Sequence, residues 1–228
     1  MKTLFKRALG AALLAGAMAA PHTAAAQVNG VATVDLPAAV ASSQALQNGY
    51  QQIATQYQAQ RTTIQQRQQQ RQQLILTFDT NGNGQLDEAE VPATQDPNNA
   101  TVQQIQAIDQ EVATLQQPIN LARVFVVQQV AQQYSAAVQQ VITDQNIQFI
   151  LDPNAVVYAA EGSNVTQAVI DALNTRVPAV NIVPPADFQP SEASVQLFQQ
   201  IQQLLAMVAM QQQAAAQQTP APAAESGR

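Results

Sequence analysis

Six residues with oxygen-bearing side chains stand at positions one, three, five, seven, nine and twelve of the segment Asp79-Thr80-Asn81-Gly82-Asn83-Gly84-Gln85-Leu86-Asp87-Glu88-Ala89-Glu90. They are Asp79, Asn81, Asn83, Gln85, Asp87 and Glu90, and their spacing fits the calcium-loop pattern D-x-[DN]-x-[DN]-G-x5-E. A hard cation needs oxygens from alternate residues, a tight turn and a closing bidentate carboxylate. Asp79, Asn81 and Asn83 would offer side chains, Gln85 its backbone carbonyl, Asp87 a direct or water-mediated oxygen, and Glu90 the closure. Gly84 allows the bend, and Leu86 holds the position that turns inward. Only three of these ligands are anionic, so the expected affinity for calcium is weak, about 10⁻⁴ to 10⁻³ M. The competing reading is that Asn-Gly-Asn-Gly is a plain hairpin turn.

Such a loop must be held by its flanks, and both flanks read as long helices. Apolar residues recur at three-then-four spacing through Leu46, Tyr50, Ile53, Tyr57 and Ile64, resume at Leu74 and Phe78, and return through Ile105, Ile108, Val112, Leu115, Ile119, Ala122, Val126, Val130, Ala137 and Val141. This is the periodicity of coiled-coil helices. The outgoing helix is expected from about residue 38 to residue 77, roughly 60 Å at the usual rise. The returning helix is expected from an N-cap at Asn99 or Thr101 to about Asn146, with a kink at Pro118. Several seam positions are polar, among them Gln60, Arg67 and Arg71, so the hairpin reads as an arm rather than a core. Glutamine is a good helix former, although Gln-rich sequence is also compatible with disorder.

The chain opens with Lys2, Lys6 and Arg7, an apolar run from Ala8 to Ala20, and Ala24-Ala25-Ala26. That order is a secretory signal peptide over residues 1–26, with an uncleaved anchor as the alternative. Its removal leaves six basic against fifteen acidic residues, a net charge of −9, with arginine the sole cationic type. An acidic surface with few aromatics argues against nucleic-acid partners. No cysteine is present, and the single histidine, His22, lies in the leader, so thiol and imidazole chemistry is missing from the mature chain. Without a seryl elbow or a defined carboxylate pair, an enzyme is the weaker class and stable membrane insertion is not expected.

Val31 to Leu36 alternates and precedes Pro37, so it reads as a short strand leading into helix. After the arm come Ile147 to Leu151, a turn at Asp152-Pro153-Asn154, and a second strand at Ala155 to Tyr158. Asn164 or Thr166 then caps a helix bearing Val169, Ile170, Leu173 and Val177 on one face. These pieces make a body too small to sustain its own core, so assembly with further copies is expected. Residues 178–190 read as an extended proline-rich linker. Residues 191–213 read as an amphipathic helix whose polar face lacks Lys and Arg, which favours packing on protein over membrane docking. Residues 214–228 read as a disordered tail.

The segment Phe149-Ile150-Leu151-Asp152-Pro153-Asn154-Ala155-Val156-Val157-Tyr158, followed by Val165 to Leu173 and preceded by the strand at Val31 and the hairpin, resembles the Skp/OmpH family of periplasmic chaperones. The resemblance covers about Val28 to Val177 and adds an EF-hand-like insertion at the hairpin tip. It implies an α+β, mostly α fold: a long helical hairpin arm (38–146, loop 79–90) projecting from a small β-rich trimerisation body (27–37 and 147–177), plus the C-terminal helix and tail. It further implies a periplasmic homotrimer that holds unfolded outer-membrane proteins between its arms without ATP. Asp152, Asn154 and Tyr158 match the family segment and are assigned to turn and body packing. Arms carrying only Arg61, Arg67, Arg71 and Arg123 depart from the lysine-rich arms of that family. The alternative from another class is an exported coiled-coil scaffold or calcium-stabilised adhesion module with no client.

Overall fold

The computed structural model describes residues 30–160 and 162–217; residues 1–29, on which the expected leader falls, and residues 218–228, the end of the expected tail, lie outside them. The chain enters through β1 (Val31–Thr33) and turns at once into α1 (Leu36–Ala41). Asp35 caps that helix, its Oδ1 accepting from the Ala38 amide at 2.8 Å, and Pro37 occupies the first turn where its missing N–H costs nothing. The strand is therefore shorter than expected, because Asp35 and Leu36 are claimed by the helix start.

The outgoing helix is divided into α1, α2 (Gln44–Gln56) and α3 (Gln58–Leu76) rather than running unbroken from 38 to 77. Ser43 is the cause of the first break. Its Oγ donates to Val40 O at 2.8 Å and accepts from the Leu46 amide at 3.3 Å, ending one helix and capping the next. At the far end a short helix, α4 (Val91–Gln95), leads into α5 (Ala100–Ala131) and α6 (Tyr134–Gln145). Asn99 caps α5 by accepting from the Thr101 amide at 2.8 Å, one of the two caps expected. α5 continues through Pro118, and the interruption falls at Gln132–Gln133 instead. The carbonyl that Pro118 leaves free belongs to exposed Thr114, where water can satisfy it.

Asn146, left-handed at φ 53°, turns the chain back into β2 (Phe149–Leu151). β2 pairs parallel with β1 in the register Val31↔Phe149, Ala32↔Ile150 and Thr33↔Leu151, so the entire arm is the crossover between two neighbouring strands. On the other side of β1, Thr33 bridges to Asn164. The turn is a 3₁₀ segment, Pro153–Ala155, and the strand expected at Ala155 to Tyr158 is not formed in the single chain. No neighbouring strand among the described residues lies beside it there. α7 (Thr166–Arg176) packs on α6 and α1, and its start is held by Asn164, whose Oδ1 accepts from the Thr166 amide at 2.9 Å.

The linker is extended but strapped down. Gln129 on α5 clamps its backbone twice, Nε2 donating to Asn181 O at 2.8 Å and Oε1 accepting from the Asn181 amide at 3.0 Å. Phe188 meets Phe125 edge-on, with ring centroids 4.8 Å apart. Gly49 of α2 supplies the niche beneath: a Cβ there would stand 2.9 Å from Val180 and 3.0 Å from Val126. α8 (Glu192–Gln217) then packs against α1 and α5 through Leu197 and Ile201, both buried. Protein packing is thus what this helix does, and it runs on past 213 into the stretch expected to be disordered.

The main core gathers Val40, Leu46, Ile53, Val126, Val127, Val130, Val169, Leu173 and Ile201, where the base of the hairpin meets the body and α8. Outward along the arm it thins. α3 buries only Ile64 over its whole length, and Phe78, Val102 and Ile108 are buried outside the main cluster.

Candidate functional site

The tip loop is ordered by its own side chains. Asp79 accepts from three backbone amides, Oδ1 from Gly82 at 2.8 Å and Asn83 at 3.2 Å, and Oδ2 from Gly84 at 2.6 Å. Asn81 Oδ1 accepts from the Asn83 amide, and Asn83 Oδ1 from the Gln85 amide. Asn81 Nδ2 donates to Asp87 Oδ2 at 2.6 Å across the loop. Gly82 and Gly84 take φ of 73° and 82°, the left-handed turn that an L side chain resists. Leu86 is half-buried, and Gln85 is exposed.

Glu90 closes the loop and is 6 % exposed. Its Oε1 accepts from the Thr80 amide at 2.6 Å, the Thr80 hydroxyl at 2.8 Å and the Asn81 amide at 3.3 Å, and its Oε2 accepts from the Asp87 amide at 3.3 Å. The Thr80 hydroxyl, with the backbone donors behind it, holds the Glu90 carboxyl below its ordinary value against the opposing pull of desolvation. Thr80 is the residue that the ligand pattern does not reveal. Asp87-x-x-Glu90 ahead of Val91 and Pro92 is, however, a capping-box spacing, and the Asp87 amide to Glu90 bond is its reciprocal half. Among the described residues, no group of three or more His, Cys, Asp or Glu side chains is arranged to hold a metal ion. The loop brings all six expected residues into one turn, with the two key carboxylates, Asp79 and Glu90, each engaged by amides.

Below the tip the arm surface is polar. Arg67 Nε pairs with Glu111 Oε2 at 2.9 Å and Arg71 Nε with Asp109 Oδ1 at 2.6 Å, so two of the cationic seam residues tie α3 to α5. Nearer the base, the Arg123 guanidinium lies 5.7 Å from the Tyr50 ring centroid. Burial pushes the Tyr50 hydroxyl up to about 12, with Arg123 and then the Gln202 side chain opposing, and Arg123 Nε finds no hydrogen-bond partner among the described residues. No described helix is long and apolar enough to cross a membrane.

On the body, apolar side chains are left in the open: Phe149 and Leu151 on β2, then Val157 and Tyr158 beyond the turn, the last two 106 % and 84 % exposed. Asp152 Oδ1 accepts from the Asn154 amide at 2.8 Å and from Asn154 Nδ2 at 3.0 Å, the turn role expected of that pair.

Residues 30–173 match the family model described as outer membrane protein (OmpH-like). A search of the curated proteins finds no match. Among solved structures, a candidate OmpH-like outer membrane chaperone from Caulobacter crescentus is similar, with 20 % identity and a TM-score of 0.41, over 82 % of this chain and 100 % of that one. The family match spans β1, the whole arm with its tip loop, the turn segment and α7 as far as Leu173, which is the stretch that carries the resemblance to Skp/OmpH chaperones, and the chain belongs to the OmpH-like family.

Proposed function

We propose that this protein is an ATP-independent holdase of the periplasm that keeps unfolded outer-membrane polypeptides from aggregating in a space between the arms of a homotrimer. One observation carries the reading: the arm is packed at its base and loosely packed beyond, α3 burying a single apolar residue along its length. A polar, lightly packed arm can bend around clients of different shape through many weak contacts, and such contacts release without a chemical step. The trimer rests on the small body and its uncovered apolar face, since Phe149, Leu151, Val157 and Tyr158 are exposed among the described residues of one chain. The test is suppression of aggregation. A denatured outer-membrane barrel diluted with a stoichiometric amount of the mature protein should stay in solution, and unchanged turbidity rejects the holdase in favour of a scaffold.

Calcium at the tip is the finer part of the proposal. Binding would draw the Glu90 carboxylate away from Thr80 and Asn81 and onto the cation, with Asp79, Asn81, Asn83, Asp87 and the Gln85 carbonyl as the other ligands. Because those hydrogen bonds must be exchanged, the affinity stays weak. Calorimetry at millimolar calcium should give a heat that Glu90→Gln abolishes while the oligomer persists. Equal heats from both proteins, or none from either, leave the loop a hydrogen-bonded turn.

A further inference from the structure

Arg61 and Gln65 of α3 are four residues apart, and Gln116, Asn120 and Arg123 of α5 follow one another at four and three, so each set shares one helix face. Where the two faces meet they line a cavity of about 290 Å³. Its apolar members, Ile64 and Ile119, are both buried. The five polar lining side chains all carry N–H donors, two guanidinium groups and three amides, and no carboxylate is among them.

None of these five side chains makes a hydrogen bond or ion pair with a described residue. Farther out on the hairpin, by contrast, Arg67 and Arg71 find carboxylates at Glu111 and Asp109. The Arg123 guanidinium is steadied by the Tyr50 ring, 5.7 Å from its centroid, while its Nε is buried without a partner. The chain as a whole has a formal net charge of −6, so the cationic character is local to this cavity. Two like charges facing one space repel, and an anion between them turns that repulsion into attraction. Guanidinium forks match the edges of an oxyanion, amides add further donors, and the apolar floor strengthens each bond by lowering the local dielectric.

We infer that this cavity binds a small free oxyanion of the phosphate type, held between Arg61 and Arg123 with Gln65, Gln116 and Asn120 as further donors. A tetrahedral oxyanion offers enough oxygens to engage both guanidinium groups and the amides at once, which chloride does not. Ile64 is the last residue of the outgoing limb in the main core, so the anion fastens α3 to α5 at the border between the packed base and the loose distal arm. The site does not depend on the holdase reading or on calcium at the tip.

Calorimetric titration of inorganic phosphate into the protein, in calcium-free buffer with ionic strength held by sodium chloride, should show saturable binding. Arg61→Gln, at an exposed residue whose loss leaves the fold intact, should weaken it about tenfold or more. Arg71→Gln, whose guanidinium is already engaged by Asp109, should bind like the native chain. Phosphate should also slow amide exchange around residues 61–65 and 116–123, and unchanged exchange there overturns the fastening role. Equal affinity in the native protein and Arg61→Gln, or no saturable binding at all, overturns the site, and an equal loss in Arg71→Gln overturns its location. Capture by phosphatidate vesicles with inorganic phosphate inert overturns the free anion as the ligand.

Discussion

The two ends of the same hairpin are built on opposite terms. At the base, Leu46 and Ile53 of α2 face Val126, Val127 and Val130 of α5 with 2 % exposure or less, and the strap and α8 seal the outside. Beyond Tyr57 the partners become glutamines, and cohesion comes from Ile64, Ile108, Val102 and two half-exposed ion pairs. Both halves are helical because glutamine and leucine have similar helix propensity. What differs is how much apolar surface leaves water, so one pair of helices serves as foundation at one end and compliant finger at the other.

Truncations inside each half give the strongest test of that contrast. Ile53→Ala should cost about 3–4 kcal/mol of global stability and Ile64→Ala nearer about 2 kcal/mol, because the thinner distal packing can collapse around the gap. Denaturant melts measure the first. Hydrogen exchange should place the second in amides of α3 and the facing part of α5 alone, and equal global losses from both would erase the distinction.

The base should also carry an alkaline signature that the distal arm lacks. Tyr50 keeps its proton in the folded chain up to about 12 against an ordinary value of 10.0, so the unfolded chain ionises first. The stability it contributes is therefore whole below pH 10 and is lost as pH climbs toward 12. Thermal melts across that range should fall more steeply for the native protein than for Tyr50→Phe.

Glu90 gives the tip the opposite sign. Its carboxyl is held below 4.5, so the order it lends the loop is present above that value and fades as pH falls through the lowered one. Protection of the amides in residues 80–87, taken relative to their intrinsic exchange at pH 3 and at pH 6, reads this out, and Glu90→Gln should lack the loss of protection that Glu90 contributes. The smallest effect belongs to the ion pairs: Arg67→Gln or Arg71→Gln should change stability by about 1 kcal/mol or less and respond to salt. A larger loss would mean that the distal arm depends on charge more than its exposure implies.

Much of this architecture was readable from local signals. The heptad phase located both limbs, Asn99 sits where a cap was expected, and the oxygen spacing at residues 79–90 picked out the turn, whereas Asp35 was read as strand and caps a helix. Ser43 is a local cap signal of the same kind, which the expected unbroken helix from 38 to 77 passed over. What could not be read depends on partners far along the chain. Nothing near Asn181 announces that Gln129 will clamp it, and Val157 has strand-forming character with no strand beside it in a single chain. The extent of α8 was missed because Ala and Gln were read as tail composition, although both are good helix formers.

Gly49 adds a mechanical consequence. It lies near the root of the arm, and from there to Phe78 the chain rises about 43 Å along the helices. The niche at Gly49 seats Val180 so closely that the extension acts as a wedge beside a fulcrum. A tilt of about 10° at that point carries the tip through roughly 8 Å, given that length. A methyl group placed at residue 49 is thus amplified by leverage: the position of the fingertip is set by a contact made at the palm.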